Sequence, residues 1–347
     1  MSTTAQETKQ QQPEEAKGLS QGQIVRKRFF GHTAAVVSLI IFACVVILAF
    51  TSVGYAGIPG WWQWNYVETP RLATPTGEPT WSPELGNPGS WFAFGDHPFG
   101  QDRVGRDLFA MTMRGAQLSL IIMFIIGFVG GLIGVVIGGV AGYFRGWVET
   151  VLMRLTDVII IIPLVIIAAV LGTFGRSLSG PGTFFDTIFG GSAGVILLGI
   201  FVGFIIWTGL ARLVRGEFLS LREREFVDAA RIAGASNSRI IFKHIVPNAV
   251  GVIIVNTTLV MASAILLETA LSYLGIGVQA PDISLGSLIS DNQAAFNTRP
   301  WLFWWPGLFI VIICLSINFI GDGLRDAFDP RQKKFNAKKA AEPKKPA

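Results

Sequence analysis

Charge is the first thing this sequence is short of. Asp, Glu, Lys and Arg make up 15% of its 347 residues, against about 25% in a typical water-soluble domain. Cysteine is nearly missing: Cys44 and Cys314 both sit inside apolar blocks, which excludes a disulfide framework and offers no metal-ligand spacing. Histidine is as scarce. His32, His97 and His244 lie far apart in the chain, which argues against a histidine metal site. The Gly-x-x-x-x-Gly-Lys-Ser/Thr phosphate loop is also missing, since no lysine follows any glycine. The chain therefore lacks the usual cradle for ATP phosphates. No nucleophile–base pair stands out, so neither a catalytic residue nor a metal ligand is assigned.

What is plentiful is apolar sequence, 51% of the residues, gathered into long blocks. An apolar helix needs about 20 residues to cross the bilayer core. Six blocks meet that need, at residues 34–53, 116–143, 155–174, 193–211, 248–275 and 301–321. Lipid offers the backbone no hydrogen-bond partner, so each block must satisfy its own as a helix. The expected fold class is an all-α integral membrane protein with six transmembrane helices, and the lipid bilayer is its first partner. The first block follows 33 mostly polar residues and exceeds the ~7–15 apolar residues of a cleaved signal. It reads as an uncleaved anchor.

The net charge of +5 could suggest nucleic acid in a soluble protein, but here the positive residues flank the apolar blocks, and no nucleic-acid partner is expected. Residues 1–33, 144–154, 212–247 and 322–347 carry 22 Lys and Arg, whereas 54–115, 175–192 and 276–300 carry 6. The two sets contain 106 and 105 residues, so length does not cause the contrast. The positive-inside rule then predicts that both termini are cytoplasmic. Residues 1–33 read as a largely disordered cytoplasmic N-terminal tail and 322–347 as a cytoplasmic C-terminal tail; residues 1–18 and 332–347 in particular are too polar to offset chain entropy. Residues 54–115 are expected to form an extracytoplasmic loop and 116–321 the transmembrane core, with 212–247 as a cytoplasmic loop within it. The loop holds Trp61, Trp62, Trp64, Trp81 and Trp91. Tryptophan favours the membrane–water interface, and contact with a soluble partner is the competing use. Residues 100–107 are expected to form a turn and short helix leading into the second span.

Within the second span, Gly130, Gly134, Gly138 and Gly142 recur every four residues and share one helix face. Such a stripe lets another helix backbone approach closely, and packing within the chain is favoured over a subunit interface. Pro163 and Pro306 interrupt apolar runs and predict kinks. Asp157 starts the third span, while Asn256 and Glu268 lie in the fifth. Ionisable groups at membrane depth face a bundle interior or water. Glu268 and Asn256 are therefore the candidates for a solute pathway, and a solvated interface is the competing reading for Glu268.

The most informative stretch is 212–247. Glu225-Phe226-Val227-Asp228-Ala229-Ala230-Arg231-Ile232-Ala233-Gly234 predicts a short helix stopped by the glycine. Ser236 can cap a second helix running toward Lys243, and Pro247 marks the start of the fifth span. The small residues Ala229, Ala230, Ala233 and Gly234, ringed by Arg222, Arg224, Asp228, Arg231 and Arg239, make a helical knob able to enter a cleft on a soluble partner. An amphipathic loop lying on anionic headgroups is the alternative.

Asp228-Ala229-Ala230-Arg231-Ile232-Ala233-Gly234, with Pro247 thirteen residues after the glycine, resembles the EAA loop of bacterial ABC-importer permeases. Asp228 stands where that family carries Glu, and His244 and Val246 replace its usual Ile and Leu. Three further segments are similar to the C-type subunit of dipeptide, oligopeptide and nickel permeases. They are His97-Pro98-Phe99-Gly100-Gln101-Asp102-Arg103-Val104-Gly105-Arg106-Asp107, Glu268-Thr269-Ala270-Leu271-Ser272-Tyr273-Leu274-Gly275-Ile276-Gly277-Val278-Gln279, and Asn318-Phe319-Ile320-Gly321-Asp322-Gly323-Leu324-Arg325-Asp326 followed by Asp329-Pro330-Arg331. The resemblance covers roughly residues 20–331.

It implies a type I ABC-importer permease-like bundle in the bacterial cytoplasmic membrane, forming half of a pathway for di- or oligopeptides. The implied partners are a homologous B-type permease subunit, two cytoplasmic ABC ATPase subunits and an extracytoplasmic solute-binding protein. Asp228, Ala229, Ala230, Ala233, Gly234 and Pro247 would couple to an ATPase. ATP and Mg would be bound by those partners, with no cofactor on this chain and no enzymatic activity of its own. Nickel or another small solute within the same family is the alternative. An ion-gradient transporter is a weaker one, since it would need repeated halves and a midplane ion site that the sequence does not display; nor does a selectivity-filter-like run suggest a channel.

Overall fold

The computed structural model describes residues 21–55, 57–80, 95–180, 182–189 and 192–329. The expected disorder of 1–18 and 332–347, and the roles of Trp81 and Trp91, fall outside these residues. The described chain is helical, with two isolated bridges, Tyr55 to Ile58 and Gln101 to Asp107. In order the elements are α1 (Gln21–Gly31), α2 (Thr33–Ser52), α3 (Leu108–Phe144), α4 (Gly146–Ile161), α5 (Leu164–Leu178), α6 (Phe184–Phe189), α7 (Ala193–Ile206), α8 (Thr208–Arg222), α9 (Glu225–Ile232), α10 (Asn237–Ile240), a π-helical turn (Ile241–Ile245), α11 (Val246–Tyr273), α12 (Leu285–Asn292), a 3-10 turn (Gln293–Ala295) and α13 (Trp301–Phe328).

Four helical rods are long and apolar enough to cross a membrane, and two bent pairs bring the total to six if each pair forms one span. Two expected spans are therefore not straight. The third is broken between α4 and α5 with a bend of 88°. Pro163 has no N–H to donate and pushes the residue before it out of the helical region; Ile162 is accordingly extended, at φ −77° and ψ 125°. The fourth bends by 45° between α7 and α8. There the Trp207 indole donates to the Phe204 carbonyl at 2.8 Å, an inserted partner of the kind that disturbs a helical ladder. Pro306, by contrast, lies inside α13 without ending it.

Several expected boundaries also move: α3 begins at Leu108, α4 at Gly146, and α8 runs to Arg222. The N-terminal tail becomes helical at Gln21, because α1 has something to pack on: Phe29 is buried with Ala35 and Ala327. His32 then caps α2, its Nδ1 accepting from the Ala35 N–H at 3.2 Å. At the other end α13 continues to Phe328, seven residues beyond the expected stop at Gly321.

α3 is the central rod, in contact with α7 and α8 on one side and α11 on another. Its glycine stripe lies against α7 and α8. A Cβ on Gly130 would meet Ile206, one on Gly134 would meet Leu210, and those on Gly138 and Gly142 would come within 2.4 Å of the Ala211 carbonyl and 2.7 Å of the Arg215 carbonyl. Close backbone approach replaces the hydrophobic effect as the source of association when the solvent is lipid. On a neighbouring face Gly127 and Gly131 admit Met261 and Thr257 of α11.

Candidate functional site

The 212–247 stretch folds as a knob carried between two membrane helices. α9 ends where Gly234 takes φ +78°, a left-handed value that glycine adopts without steric cost. The Ala235 N–H then reaches back to the Ala230 carbonyl at 3.0 Å, closing the helix end. Ser236 caps α10, accepting from the Arg239 N–H at 3.4 Å. α10 widens into the π turn after Ile240 and runs on into α11, so the expected second helix passes Lys243 within one rod from Asn237 to Tyr273. Pro247 follows the π turn at the start of α11, inside the rod that runs from Asn237 to Tyr273.

The knob is held from below by a small core. Val227, Ile240 and Ile245 are buried with Tyr143, Val214 and Phe218 of α3 and α8. Tyr143 also donates its hydroxyl to Asn237 Oδ1 at 2.7 Å. Asp228, Ala229, Ala233 and Gly234 remain exposed, and Ala230 is half-buried. Asp228 pairs with Arg231 at 3.1 Å across one turn. Arg222 departs from the outward ring: its guanidinium donates to the Tyr143 carbonyl and lies over the Tyr143 ring.

Sequence reasoning missed the apolar part of the knob. Ile232 is 89% exposed and Phe242 73% exposed. A signal existed for Ile232, because five residues from the buried Val227 is about 140° around the helix, away from the core face. α4 and α8 are bridged near the same end by Arg212–Asp157 at 2.6 Å and by Arg215–Glu149.

The two pathway candidates are not brought together. Twelve residues of helix separate Asn256 from Glu268, about 18 Å. Asn256 is half-buried and donates to the Val252 carbonyl of its own helix at 2.7 Å. Glu268 is 1% exposed and accepts from Ser119 at 2.9 Å and Ser272 at 2.8 Å.

On the face opposite the knob, residues 57–80 and 95–107 cap α3. The expected short helix at 100–107 is a set of turns instead, because Gly100 and Gly105 have φ of +86° and +93°, outside the right-handed helical region. Asp102 accepts from the Val104 and Arg106 N–H groups and from Arg106 Nε. Asp107 caps α3 through the Ala110 N–H at 2.8 Å, meets His97 Nδ1 at 2.8 Å and accepts from the Trp62 indole at 2.9 Å. Burial pushes its carboxyl above the usual range, opposed by His97, the Ala110 N–H and Trp62. Trp62 and Trp64 are thus engaged within the cap, Trp64 stacking on His97, while Trp61 is 61% exposed. Among the described residues no cluster of His, Cys, Asp and Glu is placed to hold a metal ion.

Residues 134–334 match the protein family described as the inner membrane component of binding-protein-dependent transport systems, and residues 20–73 match the N-terminal transmembrane domain of oligopeptide transport permease C. The chain is similar to the oligopeptide transport system permease protein OppC of Haemophilus influenzae, 36% identical with 91% of each chain covered. It is similarly close to the OppC proteins of Escherichia coli K12, 36% identical over 92% of this chain and 94% of that one, and Mycobacterium tuberculosis H37Rv, 35% over 88% and 94%. Among solved structures, the inward-facing MetNI methionine ABC transporter is similar at a TM-score of 0.48 and 20% identity, covering 63% of this chain and 96% of that one.

Proposed function

Because the chain belongs to the family of binding-protein-dependent transport inner membrane components, we propose that it is the C-type permease subunit of an ATP-binding-cassette importer for di- or oligopeptides. The observation that carries this reading is the knob 225–245: exposed small residues on a short helix, fixed by a buried core to α3, α8 and α11. Such a part transmits force only if something grips it. Two cytoplasmic ATPases, which bind ATP and Mg, are the grips, and each permease subunit presents one knob.

A homologous B-type permease completes the pathway, and an extracytoplasmic binding protein delivers the solute to the cap face. The excess of Lys and Arg in 212–247 and the tails supports a cytoplasmic knob and cytoplasmic termini. Closure of the ATPases draws the two knobs together and opens the bundle outward; hydrolysis resets it. Relatives named for oligopeptide transport along most of their length favour peptides over nickel or another small solute, and the scarcity of midplane ionisable groups disfavours an ion-gradient carrier.

Uptake in a deletion strain tests the reading. Labelled di- and oligopeptides lose entry and regain it with the restored gene, while nickel entry is unchanged. Loss of nickel entry with intact peptide entry overturns the substrate class.

A further inference from the structure

The connection that follows α11 does not leave the bundle. It folds back so that α12 packs on α3, α11 and α13. Glycine allows the approach: a Cβ on Gly286 would come within 2.6 Å of the Thr269 carbonyl, and one on Gly277 within 2.4 Å of Ser272 Oγ. From α5, the Arg176 guanidinium grips the Ile276 and Gly277 carbonyls, each at 3.0 Å.

At the root of this segment lies Glu268. Among the described residues no ion pair involves it. Its partners are hydroxyls, and every hydrogen bond with a stated donor runs toward it. The Val278 N–H donates to Ser272 Oγ at 3.0 Å, which donates to Glu268 Oε1. The Leu285 N–H donates to Ser119 Oγ at 3.3 Å, which donates to Glu268 Oε2. Ser284, the N-cap of α12, brings a third hydroxyl to the same carboxyl. One side chain of α11 thereby holds both ends of the 278–285 connection and fastens them to α3. A carboxyl at membrane depth without a cation is costly, so simple helix packing is better served by an apolar residue. The other end of α11, at Val246 and about 33 Å from Glu268 along the helix, adjoins the knob.

We propose that Glu268 is the positioning residue that ties the outer segment 276–292 to α11 and α3, so that a shift of α11 imposed at the knob moves the outer end of the pathway. The inference rests on the importer reading and adds the part that answers the motor.

The test uses the complete transporter in proteoliposomes, with Cys44→Ala and Cys314→Ala in every version. Gln279→Cys, at an exposed position on the segment, is labelled from outside with an impermeant maleimide, without nucleotide and with ATP plus vanadate. With Glu268 present, the labelling rate differs between the two states. Glu268→Ala and Ser119→Ala preserve ATP hydrolysis, abolish that difference and lower the solute moved per ATP by about tenfold, within the usual range of coupling between sites. Glu268→Gln, which keeps one acceptor, restores part of it. Nucleotide-dependent labelling and normal solute per ATP in both Ser119→Ala and Glu268→Ala overturn the inference, as does labelling that never depends on nucleotide while ATP-driven uptake proceeds. If Glu268→Ala fails to assemble, Ser119→Ala, which leaves the carboxyl in place, decides alone. Absence of any ATP-driven uptake in the version with Glu268 and Ser119 intact is a different result, and it removes the importer reading instead.

Discussion

Gly234 concentrates the residue-scale argument. A Cβ there would meet nothing, yet φ is +78°; the cost of substitution is backbone strain of about 1–2 kcal/mol, not a clash. Gly234→Asp adds a charge to an exposed surface, and Ala229→Trp adds bulk to it. Both variants are expected to insert in the membrane at normal levels and to lose transport, read by membrane fractionation alongside uptake. Normal uptake by both removes the coupling role. Asp107→Ala is expected to act differently. It deletes a helix cap, worth about 1 kcal/mol, and leaves His97 and Trp62 without their buried acceptor, so thermal stability falls in a melting assay; an unchanged melting temperature would deny the cap its structural role. The stop at Gly234, the cap at Ser236 and the start at Pro247 were legible in the sequence because their chemistry is local. Ser119 could not be paired with Glu268 in advance, because 149 residues separate them and only the packing of α3 on α11 brings them together.

Helices are the scale at which the sequence speaks most plainly. Each long apolar run became helical, four as single rods and two as bent pairs, since lipid offers the backbone no hydrogen-bond partner. Bends are less legible. Pro163 announced an interruption but not an 88° turn, and the 45° bend at Trp207 has no proline to announce it. The spacing of Gly130 to Gly142 gave a helix face, but its partner, α7 and α8, is a tertiary fact. A Cβ on Gly138 already meets the Ala211 carbonyl at 2.4 Å, so Gly138→Leu is expected to force α3 away from α8 and reduce the amount of folded protein in the membrane. Gly216→Ala is the control: it faces open space, and alanine favours a helix by about 1 kcal/mol over glycine. Equal yields of folded protein from the two variants would contradict the close-contact account.

The whole molecule is a multi-pass protein of the cytoplasmic membrane, with its charge concentrated at one face. The expected topology has Ala229→Cys labelled by an impermeant thiol reagent only from the cytosolic side and Trp61→Cys only from the other, after Cys44 and Cys314 are replaced. Labelling in the reverse sense would invert the positive-inside assignment. The subunit composition is the least legible part, because a partner's cleft leaves no trace in this chain beyond the shape that fills it. The central claim is therefore tested most directly by cross-linking through cysteines at Ala229 and Ala233 in the intact transporter. The account predicts capture of a nucleotide-hydrolysing subunit at both positions, with a yield that changes when ATP is trapped. Capture of no such subunit from either position, in membranes that still transport, would contradict it.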